Sequence, residues 1–164
     1  MLKYTALIAL GSNLSEPVAQ VQRAIDCLKK HNAIDIIASS RLYRTAPVGY
    51  LDQPDFINAA VQIETTLEPM LLLQLLNQVE ADFGRERTFQ NAPRTLDLDI
   101  IDYAGQIWNT ERLTLPHPRA HERGFVLMPL HDIVPNVYLG EKGSVADLLA
   151  QVDVSDIECL HDVM

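Results

Sequence analysis

Residues 56–79, FINAAVQIETTLEPMLLLQLLNQV, change their hydrophobic period half-way along. Ile57, Ala59, Val61 and Ile63 alternate with Asn58, Gln62 and Glu64, the period of two that sends successive side chains to opposite faces of a strand. Leu72, Leu75, Leu76, Val79 and Phe83 then recur at helical spacing, with Thr66 placed to cap the helix and Pro69 in its first turn. Gly84 is the expected stop.

The same alternation of elements continues on both sides. Upstream, Lys3 to Leu10 is a nearly continuous apolar run, a buried strand expected to leave through a turn at Gly11-Ser12-Asn13. Ser15-Glu16-Pro17 offers a cap and an entry proline to a helix carrying Val18, Val21, Ile25 and Leu28 and ending near His31. A strand follows from Ile34 to about Arg44, then a loop from Thr45 to Phe56 containing Pro47, Gly49 and Pro54. Downstream, Arg85 to Pro93 is polar and non-periodic, and Thr95 to Tyr103 reads as a strand. This order predicts an α+β, ferredoxin-like βαββαβ core, with two helices on one face of a mainly antiparallel sheet. Gly105 to Met164 is expected to add a short hairpin and small helices around Val126 to His131 and Val145 to Gln151. Without a repeat or linker, residues 1–164 are expected to form a single domain.

Composition limits the function classes. Of 164 residues, 48% are hydrophobic, and 13 basic against 22 acidic side chains leave a net charge of −9. That is enough chain for a core without disulfides or zinc, and Cys27 and Cys159 form no metal-binding pair. The acidic balance opposes non-specific binding to nucleic acid or anionic lipid. Apolar runs such as Leu71 to Leu73 are too short to span a bilayer, and the first ten residues lack a basic leader. A cytoplasmic monomer is expected. The charge is nevertheless uneven: arginines 85, 87, 94, 112, 119 and 123 fall in one stretch without a lysine. Guanidinium forks match phosphate or carboxylate oxygens two at a time, so the stretch is either an anion site or a solvated face.

The sharpest chemical feature is Pro93-Arg94-Thr95-Leu96-Asp97-Leu98-Asp99-Ile100-Ile101. In a strand, Asp97 and Asp99 share one face while Leu96, Leu98 and Ile100 enter the core on the other. Two neighbouring carboxylates on poor strand formers favour a divalent cation between them, and magnesium suits them because it shares its coordination with substrate phosphates. A solvated edge-strand face is the bland alternative, and Asp102, of opposite parity, reads as a strand-end residue. Glu80 follows core residue Val79 and by itself reads as an ordinary exposed helix acid. His117 and His121 are four apart, but Pro116 and Pro118 argue against a regular helix and hence against zinc. His117 and Arg123 read better as phosphate contacts. Phe56 and Phe125 could stack on a flat heterocycle whose edge Asn58 reads, although each aromatic could equally be core. The pair of aspartates leaves open a metal-dependent nucleotidyl transferase or phosphohydrolase, or a non-catalytic ligand-binding domain.

Several motifs in order narrow this. Gly11-Ser12-Asn13-Leu14, Tyr43-Arg44-Thr45, Gln53-Pro54-Asp55-Phe56-Ile57-Asn58-Ala59-Ala60, Gly84-Arg85-Glu86-Arg87, Pro93 to Asp99, Pro116-His117 and Arg123-Gly124-Phe125 together resemble the 6-hydroxymethyl-7,8-dihydropterin pyrophosphokinases of folate biosynthesis, over residues 4 to 136. The resemblance implies transfer of pyrophosphate from the co-substrate ATP to the pterin's hydroxymethyl oxygen, giving AMP. It implies that Asp97 and Asp99 hold two magnesium ions and, with Arg85 and Arg87 of a closing loop, carry catalysis. It assigns ATP to Glu80, Arg85, Arg87, Arg94, His117 and Arg123. The pterin falls to Phe56, Phe125, Asn58, Asp97 and the stretch from Thr45 to Val48. Pro118, Phe89 and Ala92 depart from the family's usual pattern.

Overall fold

The computed structural model describes residues 2–14, 16–46, 54–84 and 96–160. Its elements run β1 (Tyr4–Ser12), α1 (Pro17–Lys29), β2 (Ile34–Ser39), β3 (Leu42–Thr45), β4 (Phe56–Thr65), α2 (Pro69–Asp82) and β5 (Asp97–Tyr103). The short hairpin strands β6 (Trp108–Asn109) and β7 (Thr114–Leu115), a 3₁₀ turn at Ala120–Glu122, α3 (Gly124–Ile133), α4 (Val145–Leu149) and β8 (Ile157–Leu160) follow. The main sheet is ordered β5-β1-β4-β3-β8, with β2 also on β4. All its pairings are antiparallel. From β5 to β2 and β3, this is the strand order of the ferredoxin-like fold that the sequence predicts.

Three local expectations change. The strand from Ile34 to Arg44 is two strands, both on β4 and separated at Ser40, whose hydroxyl donates to the Arg41 carbonyl at 2.7 Å and accepts from the Ala60 amide at 2.9 Å. The helix caps also differ. Glu16 and Glu68 stand at the N-caps without a side-chain bond, leaving Pro17 and Pro69 to start the helices, where a missing N–H costs nothing. Thr65, not Thr66, bonds locally, accepting from the Leu67 amide at 3.0 Å. Gly84, at φ +82°, does terminate α2. Finally, β1 and β5 slip by one residue, so that Ile8 faces Ile100 but Leu7 faces Asp102. This bulge re-phases the strand. Asp102 thus shares Leu7's face, while Tyr103 enters the opposite core and donates its hydroxyl to the Leu67 carbonyl. Burial pushes the Asp102 carboxyl up, opposed by the Gly105 N–H.

The sheet is covered on both sides. Val21, Ala24 and Leu28 of α1 and Leu72, Leu76 and Val79 of α2 pack on Ile8, Leu10, Val61, Leu98 and Ile100. The opposite face carries Leu7, Ala60 and Ile101 under Leu127 and Leu130 of α3 and Val145 and Leu148 of α4. Burial on both faces explains why the first strand reads as a continuous apolar run. The two predicted helices do share one face, and the C-terminal pair supplies the other layer. α3 is pinned by Asp132, which accepts from the Tyr43 hydroxyl and from Arg41 Nη2, each at 2.8 Å, and from the Arg41 amide at 3.1 Å. Burial alone would raise the Asp132 carboxyl, but these bonds hold it below the ordinary carboxylate range. No helix among the described residues is long and apolar enough to cross a membrane.

Candidate active site

α3 leaves one end of its sheet face uncovered. Beyond its first turn, β1 presents Ala9 and Gly11, side chains too small to fill the space above them, and a cleft of about 570 Å³ opens there. A cross-strand row forms the floor: Asp97 stands opposite Gly11, Gly11 opposite Asn58, and Asn58 opposite Tyr43. Gly11 is therefore inside β1 and not at the turn the sequence suggests. A Cβ on Gly11 would meet Asn58 Oδ1 at 3.1 Å, so the missing side chain gives Asn58 its place. The Asn58 amide donates to Thr45 Oγ1 at 3.1 Å, and Asn13 donates to the Pro54 carbonyl at 3.1 Å, tying the end of β1 to the start of β4.

Asp97 and Asp99 alternate with core residues Leu96, Leu98 and Ile100 and both line the cleft. Ala9 lies opposite Asp99, leaving the space beside it open. Glu80 is not an exposed helix acid. It is 4% exposed and accepts a hydrogen bond from the Leu98 amide at 2.7 Å. The carboxylate thus serves the edge strand from outside the cleft. Among the described residues, no cluster of three or more acidic, histidine or cysteine side chains forms a closed metal cage.

The opposite wall is built from the chain between β7 and α3. The His117 amide donates to the Ile101 carbonyl at 2.9 Å, and His117 Nδ1 accepts from the Arg119 amide at 3.1 Å. The neutral ring therefore carries its proton on Nε2. Burial first, then the Arg123 charge, lowers its pKa to about 4, against an opposing pull from Asp97. Arg123 and Phe125 flank Gly124 at the start of α3, and the Arg123 guanidinium lies 5.6 Å from the centre of the Phe125 ring, within cation–π range. This wall thus sets a charge and an aromatic ring side by side, and Phe56 of β4 lines the same cleft.

Of the residues singled out in the sequence, the cleft gathers Thr45, Phe56, Asn58, Asp97, Asp99, His117, Arg123 and Phe125. Val48, Arg85, Arg87 and Arg94 lie outside the described residues. His121 does not line the cleft and instead pairs with Glu122 at 3.4 Å. Arg119, one of the six clustered arginines, also lines it, as do Asp153, Asp156 and Ile157, which sequence reasoning passed over. Small residues at alternate positions 9 and 11 of β1 are a signal of the open floor between Asp97 and Asn58.

The family model for 7,8-dihydro-6-hydroxymethylpterin-pyrophosphokinase (HPPK) matches residues 7–135. The chain belongs to this family. The HPPK match spans β1 to just past α3, leaving α4 and β8 outside it. Two relatives are named 2-amino-4-hydroxy-6-hydroxymethyldihydropteridine pyrophosphokinase. The Haemophilus influenzae protein is 41% identical over 147 residues, covering 90% of this chain and 92% of that protein. The Bacillus subtilis protein is 45% identical over 132 residues, covering 80% and 79%. A crystal structure of Plasmodium falciparum HPPK-DHPS with pterin and p-hydroxybenzoate superposes with a TM-score of 0.76 at 14% identity, a likeness of fold. It matches 96% of this chain, which spans about half of that longer one at 47%.

Proposed function

We infer that this HPPK-family chain transfers the pyrophosphoryl group of ATP to the hydroxymethyl oxygen of 6-hydroxymethyl-7,8-dihydropterin, a step of folate biosynthesis. The observation that carries the reading is the row from Asp97 through Gly11 to Asn58, which sets a carboxylate pair two strands from an amide. Two strand spacings are about 10 Å, room for a bicyclic ring with a one-carbon arm. The ring lies between Phe56 and Phe125, read on its edge by Asn58, Thr45 and the chain toward Val48, while its arm reaches Asp97.

Asp97 and Asp99 fit magnesium, since two hard oxygen donors on an open face leave coordination positions for phosphate oxygens. Bound there, a pair of magnesium ions would neutralise the triphosphate and polarise the attacked phosphorus. The protein's own groups do the rest. His117 offers an Nε2–H donor and Arg123 a fork to the phosphates. Arg85, Arg87 and Arg94 add charge against the transition state, and Glu80 supports the strand beneath the nucleotide. The hydroxymethyl oxygen forms a bond to the β-phosphorus. The bond from that phosphorus to the α–β bridging oxygen breaks, and AMP leaves with the electron pair while the hydroxyl proton passes to solvent. Preorganised charge and alignment suffice, because phosphoryl transfer needs little covalent help. In this reading the chain works in the cytoplasm as a monomeric single domain on small molecules, without nucleic acid or membrane partners.

The test is to mix the protein with ATP, magnesium and hydroxymethyl-dihydropterin and to resolve the nucleotide products. AMP appearing together with the pterin diphosphate is expected. ADP with inorganic phosphate would identify a phosphohydrolase instead.

A further inference from the structure

The chain after Leu149 lies outside the HPPK match, yet it forms one side of the cleft through Asp153, Asp156 and Ile157. It approaches the start of α3 closely. A Cβ on Gly124 would stand 2.9 Å from Val154 Cγ1 and 3.0 Å from Ile157 Cδ1, nearer than side chains pack. β8 then pairs with β3 so that Ile157 faces Thr45, which in turn faces Phe56. Cross-strand partners share a face. Ile157, Thr45 and Phe56 therefore form a second row, beside the one that runs from Asp97 to Asn58. Counted from β5, Asn58 stands two strands away and Ile157 four, or about 10 and 19 Å.

We propose that Ile157 is a specificity-determining residue, closing the end of the slot remote from the phosphates and admitting only an unsubstituted amine on the ring edge there. The inference rests on the pterin reading above. With the hydroxymethyl arm at Asp97 and the ring between Phe56 and Phe125, the edge carrying the 2-amino group faces Thr45 and Asn58, with Ile157 behind it. A branched aliphatic side chain rejects added bulk by shape alone. Held by the ladder to β3 and by its contact at Gly124, it has little freedom to withdraw. One carbon of misfit against such a wall is worth roughly 10–200-fold.

Binding of 6-hydroxymethylpterin and of its N2-methyl derivative, followed by pterin fluorescence with magnesium and a non-hydrolysable ATP analogue, tests this in the wild type, I157A and I157V. The wild type should favour the unmethylated ring by about tenfold or more. I157A should shrink that ratio at least several-fold, with I157V between the two and the affinity for the ATP analogue unchanged. An equal ratio in three proteins of equal thermal stability overturns the role of Ile157 and leaves the pterin reading standing. Failure of the wild type to bind the unmethylated ring overturns both.

Discussion

Glu80 reaches across from α2 to accept a hydrogen bond from the Leu98 amide at 2.7 Å, and Leu98 is the residue between Asp97 and Asp99. Among the described residues β5 is the terminal strand of the sheet, so its outward amides meet no described strand. A buried carboxylate meets this one and thereby fixes the backbone that aims both aspartates. Glu80→Ala should cost about 1–3 kcal/mol of stability by leaving the amide unsatisfied. Glu80→Gln keeps an acceptor and should restore most of that. If Glu80 positions the aspartates, the alanine variant also needs several-fold more magnesium for half-maximal turnover, and glutamine rescues that requirement. Denaturation curves and magnesium titrations of the two variants check both effects; a stability loss with an unaltered magnesium requirement would leave only a structural role.

Gly11 makes a second test of the floor. A methyl group there would stand 3.1 Å from Asn58 Oδ1, so Asn58 would have to yield by a few tenths of an ångström, at the expense of its bond to Thr45. Gly11→Ala should weaken pterin binding by roughly tenfold, the equivalent of about 1.4 kcal/mol, with KM for ATP unchanged. Isothermal calorimetry with the pterin separates this from a general loss of activity.

The strand carrying Asp97 and Asp99 was legible because a period of two sorts Leu96, Leu98 and Ile100 from the aspartates without any knowledge of neighbours. Other features depended on partners far away in sequence. Glu80 looks exposed by helical spacing, whereas it is buried and accepts from an amide eighteen residues later. Asp102 changes face because one extra residue is accommodated against Leu7. β8 is four residues of mixed character, Ile157-Glu158-Cys159-Leu160, and exists as a strand through its ladder to β3. Tertiary pairing overrode local pattern in each case. Ile157's place in the cleft was hidden for the same reason.

His117 predicts an acid limb in the stability of the metal-free protein. Its folded-state pKa of about 4 lies below the ordinary value near 6.5. Between those values the unfolded chain binds a proton that the folded chain refuses, so stability falls as the pH drops from about 6.5 toward 4. The full shift would correspond to at most about 3 kcal/mol, less whatever the partial exposure of the ring screens. Asp132 acts in a separate window. Its lowered pKa contributes stability above the ordinary carboxylate range that is lost only as the pH falls further. His117→Asn should flatten the limb between pH 6.5 and 4 and leave the lower one intact, as urea denaturation across that range would report. An unchanged slope in the variant would assign the limb to other groups.

The two aspartates occupy different rows and should fail differently. Asp97 stands opposite Gly11 in the row that contains Asn58, whereas Asp99 stands opposite Ala9, which faces Ala60. In the proposed reading Asp97 is therefore the carboxylate nearer the pterin's arm, and Asp99 is the one displaced along β5 toward Ile101. If the pair holds divalent cations as proposed, exchanging either for asparagine removes a negative charge those cations require, and turnover should fall on the order of a thousandfold, about 4 kcal/mol of transition-state stabilisation. Pterin affinity in the absence of nucleotide and metal distinguishes them. Asp99→Asn should leave it within about twofold, whereas Asp97→Asn should weaken it several-fold through a lost charge-assisted hydrogen bond to the arm hydroxyl. Equal pterin affinities in the two variants would mean that the row containing Asn58 does not set the position of the arm.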